Sequence, residues 1–348
     1  MSRTAIVTLA LLCLLLAGTA IASVGLGAVT ISPSRILMVL RAALTRDPAL
    51  DAAHDALILL DIRIPRTLLG FLVGAALAMS GALLQGLFRN PLADPGLIGV
   101  SAGAALAAAA AIVLGDRWIP GLLDGPWAVV VLPLAAFGGG LAATSILYGL
   151  ATRDGRTSVA LLLLAGVALG ALTGAATGLL VYLSDDRQLR DLTFWSLGSL
   201  GGATWGKVAA AAVLILPVLV IVPFLARSLN ALALGEADAY YLGVPVQRTK
   251  RIMIGLVALA VGSSVALAGP IAFIGIVVPH LLRLTAGADH RIVLPASALL
   301  GGSLLVGADI LARTLAAPAE VPIGILTAAI GAPFFLWLLL TRAQDIGA

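Results

Sequence analysis

Apolar blocks of about 20 residues, parted by short charged or Gly/Pro-rich breaks, recur along almost the whole chain. A helix rising roughly 1.5 Å per residue needs that length to cross a hydrocarbon layer about 30 Å thick. Lipid offers no partner to a backbone N–H or C=O, so blocks of this length must be helices, each satisfying its own backbone. Only 11% of the residues are charged and 61% are hydrophobic, against roughly a quarter charged in soluble domains. The chain reads as an all-α integral membrane protein, with residues 1–348 forming a single transmembrane domain. Its 39 glycines would weaken soluble helices, but in lipid small residues let helix backbones approach closely.

The blocks predict ten transmembrane helices, near 4–27, 67–87, 96–115, 127–150, 158–183, 206–226, 251–268, 271–285, 292–312 and 322–341. Residues 1–27 resemble a secretory signal, with Arg3 ahead of an apolar stretch and "AGTAIAS" after it. The stretch is longer than a usual signal core, so an uncleaved first span is expected. The block at 271–285 is short and follows "AGP", which predicts a break in the helix there. Two intervals are long enough for structure of their own: 28–62, containing "SPSR", and 227–250, which reads as one or two short helices outside the membrane.

Charge does not orient the chain. With both termini inside, the 21 lysines and arginines divide eleven to ten between the two faces, a near-tie under a rule that expects an inner excess. An outer face rich in arginine needs another explanation, and Arg63 and Arg66, at the mouth of a predicted span, are its centre. Inside the spans the carboxylate that stands out is Asp309, with Arg313 four residues on and an i,i+4 ion pair expected between them. No second intramembrane carboxylate or histidine offers a relay, which disfavours a proton-coupled secondary transporter.

Catalytic signatures are missing in an informative way. His54, His280 and His290 lack metal-ligand spacing, and no metal site is expected. The single Cys13 offers neither a disulfide nor a cysteine metal site within one chain. Neither lysine, Lys207 or Lys250, sits in a G-x-x-x-x-G-K-[ST] loop, so an ATP-driven process would need its motor on another polypeptide. An intramembrane enzyme is disfavoured on the same grounds, and the arginine bias is not read as nucleic-acid binding.

Three short stretches stand out. In "GALLQGLFRNPLADPGLIGVSAG" (81–103), Asn90-Pro91 and Asp94-Pro95 are turn formers, and Asp94 is placed to cap a helix opening near Pro95. A rigid polar turn between two spans is either a connector or a gate. "LGEADAYYLG" (234–243) reads as an amphipathic element suited to docking on a partner. "DDRQLRDLTFWSLGSL" (185–200) joins charge to Phe194 and Trp195 at a membrane boundary, with Arg190 in reach of an anionic ligand.

The stretches 63–108, 234–244, 269–284 ("GPIAFIGIVVPHLLRL") and 320–339 ("EVPIGILTAAIGAPFFLWLL") resemble, in order and over nearly the whole chain, the permease subunits of type II ABC importers. These are the FecCD/BtuC-like permeases that import iron siderophores, haem and cobalamin. "QLRDLTFWSLGSLGGATW" together with "FRNPLADPGLIGVS" is most similar to the haem (hemin) permeases of the HmuU type. The resemblance implies a multi-pass protein of the bacterial inner membrane with both termini cytoplasmic, working as a homodimer. Two ATP-binding subunits below would hold ATP and Mg, and a periplasmic binding protein above would deliver haem. This chain would be neither an ATPase nor the holder of a cofactor. By the same resemblance Arg63, Arg66 and Arg313 receive glutamates of the binding protein, while Asn90, Thr157 and Ser158 form the cytoplasmic gate. Coupling helices lie at 229–246, with Leu234, Gly235, Glu236, Leu242 and Gly243 at the ATPase contact. Arg190 is the residue expected to meet haem carboxylates, and His280, in the "PH" motif, is not expected to ligate haem. A ferric-siderophore or cobalamin cargo is the alternative.

Overall fold

The computed structural model describes residues 3–27, 29–45, 54–119 and 128–346. In chain order these form α1 (Arg3–Gly25), α2 (Pro33–Thr45), α3 (His54–Ala56), α4 (Ile64–Phe88), α5 (Val100–Trp118) and α6 (Ala128–Ala151). Then come α7 (Val159–Tyr182), α8 (Asp186–Ser196), α9 (Trp205–Ile221), α10 (Ala226–Leu234), α11 (Glu236–Tyr241) and α12 (Val246–Ala268). The chain ends with α13 (Ile274–Ala286), α14 (His290–Thr314) and α15 (Ile323–Ile346). A π-helical turn, Leu57–Arg63, joins α3 to α4, so one helix runs unbroken over His54–Phe88. The only departure from all-α architecture among the described residues is a hairpin of two-residue strands, β1 (Thr152–Arg153) and β2 (Arg156–Thr157). Asp154 and Gly155 at its tip both have positive φ, the geometry that lets a two-residue turn follow the twist of a β ribbon.

Among the described residues seven helices are long and apolar enough to cross a membrane: Ala5–Gly25, His54–Phe88, Val130–Ala151, Val159–Tyr182, Trp205–Leu234, Val246–Ala268 and His290–Thr314. The other three expected spans are shorter apolar helices, Val100–Gly115, Ile274–Ala286 and Ile323–Trp337. Two of these are shortened by the chain's own breakers. Asp94 accepts a hydrogen bond from Gly96 N at 2.7 Å, as its turn chemistry suggested, but it caps a 3-10 turn, Pro95–Ile98. The α-helix begins only at Val100, beyond the left-handed Gly99. Likewise α12 stops at Gly269 (φ 73°), and α13 starts after Phe273, itself left-handed. The second long helix, conversely, starts at His54 and not near 67, so Arg63 and Arg66 lie within it.

The centre of the bundle is α4, packed by α14, α12, α13 and α9. Nearly every residue from Leu69 to Leu87 is buried. Glycine makes that packing possible: a methyl group at Gly74 would stand 2.4 Å from the Gly301 carbonyl oxygen, and one at Gly301 would stand 2.4 Å from the Ala78 methyl. The same device joins α5 to α6 at Gly103 and Gly139. Backbone contact of this kind replaces the hydrophobic driving force that helices lack in lipid. At the periphery, α7 exposes Leu164, Val167, Leu172 and Leu179, a surface that only lipid or another subunit would cover.

Candidate functional site

Polar chemistry gathers at the two ends of α4. At its first turn, Arg63, Arg66 and Arg313 converge, although 243 or more residues separate Arg66 from its carboxylate partners in sequence. Arg66 donates Nε to both oxygens of Asp309, at 2.9 and 3.0 Å, and its Nη1 to Glu320 at 2.7 Å. Arg313 bonds the Ser23 carbonyl at 2.8 Å and the Ser23 hydroxyl at 2.7 Å, with its Nε 3.6 Å from Asp309. Arg63 donates to the carbonyls of Val24 (2.7 Å), Gly25 (2.9 Å) and Val29. Those carbonyls close the C-terminal end of α1, where a cation also meets the negative end of the helix dipole. Ser23 and Thr67 hydroxyls, 2.6 Å apart, complete the net.

Two expectations change here. The i,i+4 pair of Asp309 and Arg313 exists, but Asp309's closer partner is Arg66, reached across the bundle. The three arginines are also not open to the surface. They are 4, 5 and 5% exposed and turn to acceptors inside the fold, as burial of a guanidinium requires, although Arg313 Nε makes no hydrogen bond and has only its 3.6 Å ion contact with Asp309. Glu320, with 45% of its side chain exposed, is the open member of the cluster. A recess of about 150 Å³ reaches the group and is bordered by Arg63, Arg66, Arg313 and Glu320. Arg190 does not border this recess and is exposed on α8.

At the other end of α4, Arg89 adopts a left-handed conformation and reverses the chain. Asn90 is exposed, and its side-chain oxygen accepts from Leu92 N at 2.9 Å, holding the turn. Thr157 is buried in β2, while Ser158 is exposed and caps α7 by accepting from Leu161 N at 3.3 Å. The short helices α10 and α11 meet at Gly235, whose φ of 132° is open chiefly to glycine. Leu234, Tyr240, Tyr241 and Leu242 are exposed around them. Glu236 opens α11, and Gly243 (φ 82°) follows Leu242 at its end. A recess of about 680 Å³ runs between this element and the hairpin, lined by Arg156, Glu236, Tyr240, Tyr241, Gln247 and Arg248. An exposed apolar and aromatic rim around a concave surface is a protein-docking geometry.

A third recess, of about 570 Å³, lies between these ends and is lined by Asp94, Gly96, Ser101, Pro270, Ile271 and Gly324 among others. His280 is buried and stacks edge-on against Phe334, 6.2 Å between ring centroids. Sequence reading passed over Glu320, Lys250 and Gln247. The first opens the quoted stretch 320–339, and Lys250 is one of only two lysines in an arginine-rich chain, yet neither signal names a partner.

Residues 13–341 match the model of the FecCD transport family. The hemin transport system permease protein HmuU of Yersinia pestis is 50% identical over 84% of this chain and 87% of its own length. The cobalamin import system permease protein BtuC of Halobacterium salinarum is 47% identical over 81% of this chain and 73% of its own. The vitamin B12 import system permease protein BtuC of Klebsiella pneumoniae is 47% identical over 83% and 84%. A solved ABC transporter in an inward-facing conformation, described as being of metal-chelate type, superposes with a TM-score of 0.82 at 34% identity, over 96% of this chain and 98% of that one.

Proposed function

The chain belongs to the FecCD transport family, permease subunits of ABC importers, and from that premise we propose that it carries haem inward from a periplasmic binding protein. The observation that carries the cargo is the 50% identity with the hemin permease over 84% of the chain. The two cobalamin permeases at 47% favour one second reading, in which the cargo is a corrinoid. In either case the permease lies in the inner membrane, with ten helices crossing: the seven long ones and the three shorter apolar ones. Both termini are then cytoplasmic, the arginine cluster faces the periplasm, and α10 and α11 face the cytoplasm.

Two copies form the pathway. The exposed apolar side chains of α7, Leu164, Val167, Leu172 and Leu179 among them, leave surface for lipid or for a second copy. Two ATPase subunits dock against Leu234, Gly235, Glu236, Leu242 and Gly243, and their ATP and Mg drive the cycle. ATP binding shifts the balance between inward-open and outward-open packings, which requires the ATPase to bind the two states differently. Asn90, Thr157 and Ser158 close the cytoplasmic side, and Arg190 on α8 meets carboxylates of the cargo at the outer side.

Docking of the binding protein to Arg63, Arg66 and Arg313 works by exchange. Three guanidinium groups face two carboxylates, and the exposed carboxylate, Glu320, yields Arg66 to a glutamate of the incoming lobe. Opposed charge then sets encounter and register more than affinity.

The test is uptake into vesicles holding the permease with its ATPase, each loaded in turn with binding protein carrying haem, cobalamin or a ferric siderophore. ATP-dependent haem uptake is the expected result. Uptake of cobalamin without haem replaces the cargo and leaves the family intact.

A further inference from the structure

We infer that Lys250 is the positioning residue that ties the ATPase-docking helix to the hairpin gate, so that movement of one is delivered to the other. The ammonium group is buried, with 3% of the side chain exposed, and holds two acceptors on separate elements. One is Glu236 Oε1 at 2.6 Å, on the first residue of α11. The other is the Thr157 carbonyl at 2.9 Å, in β2.

Three residues earlier on the same face of α12, Gln247 accepts a hydrogen bond from Thr157 N at 3.0 Å. The peptide groups flanking Thr157 are therefore gripped from both sides by one helical turn. The Thr157 and Thr152 hydroxyls, 3.0 Å apart, close the hairpin across its strands. The hairpin in turn joins α6 to α7 with no spare residues: β1 follows Ala151 directly, and Ser158 caps α7. Tyr148, on the last turn of α6, accepts a hydrogen bond from Arg251 at 3.2 Å and braces the same corner.

A lysine serves this purpose better than an apolar residue would. Its three donors let one buried charge bond a carboxylate on α11 and a carbonyl on β2 at once. Breaking a buried charge contact is costly, so α11 and the hairpin stay engaged while the segments around them shift. Glu236 keeps 45% of its side chain exposed, at the rim of the 680 Å³ recess, where an ATPase subunit would reach it. The inference rests on the proposed reading of α10–α11 as the ATPase surface and of Thr157 as part of the gate.

The experiment uses the permease assembled with its ATPase and binding protein in vesicles, reading ATP hydrolysis and haem uptake in the same sample. Lys250→Met is expected to keep hydrolysis within about two-fold while uptake per ATP falls about ten-fold, and Lys250→Arg restores it. A spin label on Arg156→Cys, with Cys13→Ser removing the native thiol, reads the hairpin directly. Its nucleotide-dependent change should vanish in Lys250→Met. Unchanged uptake per ATP, or a hairpin that still responds, overturns the inference, and so does parallel loss of hydrolysis and uptake, which would make Lys250 an assembly residue. Tyr241→Arg, on the exposed side of α11, separates the two levels. If the ATPase still co-purifies with that variant, the docking surface has been misplaced, independently of the Lys250 result.

Discussion

Asp309 shows how a buried charge is made tolerable in this chain. It is 2% exposed and accepts a bidentate contact from Arg66, with Arg313 on its other flank. Asp309→Asn would leave two guanidinium groups buried with one anion fewer, an arrangement costing about 3–5 kcal/mol. Thermal unfolding in detergent should show it as a large loss, whereas Glu320→Gln, at the exposed rim, should unfold near the wild type. The second variant has a different signature. If docking works by exchange, freeing Arg66 from Glu320 should tighten binding-protein association about two- to five-fold at low salt, the range of an exposed pair. Equal or weaker association, measured by surface-immobilised permease, would remove the exchange step. Of this pairing only the i,i+4 contact between Asp309 and Arg313 was legible locally. The sequence marks Arg63 and Arg66 by their place before an apolar run, and marks Asp309 by being a carboxylate within one. Which arginine meets which carboxylate depends on α14 lying against α4, and no local spacing encodes that.

At the scale of elements, hydrophobic length was the readable signal and helix boundaries were not. The apolar blocks located the long helices, but the start of the helix that contains α4 was placed more than three turns too late, because residues 57–63 carry Asp61 and Arg63 and still continue the helix. The "AGP" break was legible because Gly and Pro act on the backbone itself. Asp94 was legible as a cap, although the turn it caps is 3-10. Close glycine contacts, by contrast, look in sequence like any small residue in lipid. Gly74→Leu should overpack α4 against α14 and cost about 1–3 kcal/mol or more, visible as a lowered unfolding temperature, while Gly178→Leu, on open α7, should not. Asp289 caps α14 through the Arg291 N–H at 2.9 Å, and that bond holds its carboxyl below the ordinary carboxylate range. A depressed value means the contribution is complete above about pH 4, the unfolded value, and fades as pH falls through the lower folded one. Asp289→Ala should cost about 1 kcal/mol at neutral pH, and the gap from wild type should narrow on acidification.

For the whole molecule, one expectation separates this family from a self-sufficient carrier. Vesicles with the permease alone should neither hydrolyse ATP nor accumulate haem, and adding the ATPase and the loaded binding protein should restore both. Uptake driven by an ion gradient in the isolated chain would contradict the family assignment. Family and architecture were legible because the four quoted motifs occur in order along the chain. Cargo was not, since relatives that carry a haem or a corrinoid stand at 50 and 47% identity. Choice between two large macrocycles rests on the shape of the path they take, which the order of motifs along a chain does not spell out.

The helix at the centre and the helix at the margin live under different rules. In α4's membrane window 89% of the residues are buried, against 6% in α1. Drift should therefore be lopsided: along α1 any oily residue should serve between buried Ala5 and the stretch Ser23, Val24 and Gly25, where Arg63 and Arg313 take hold. A saturation library would show α1 as a tolerant mooring line with a knot at each end, and α4 as a keel in which nearly every plank is irreplaceable.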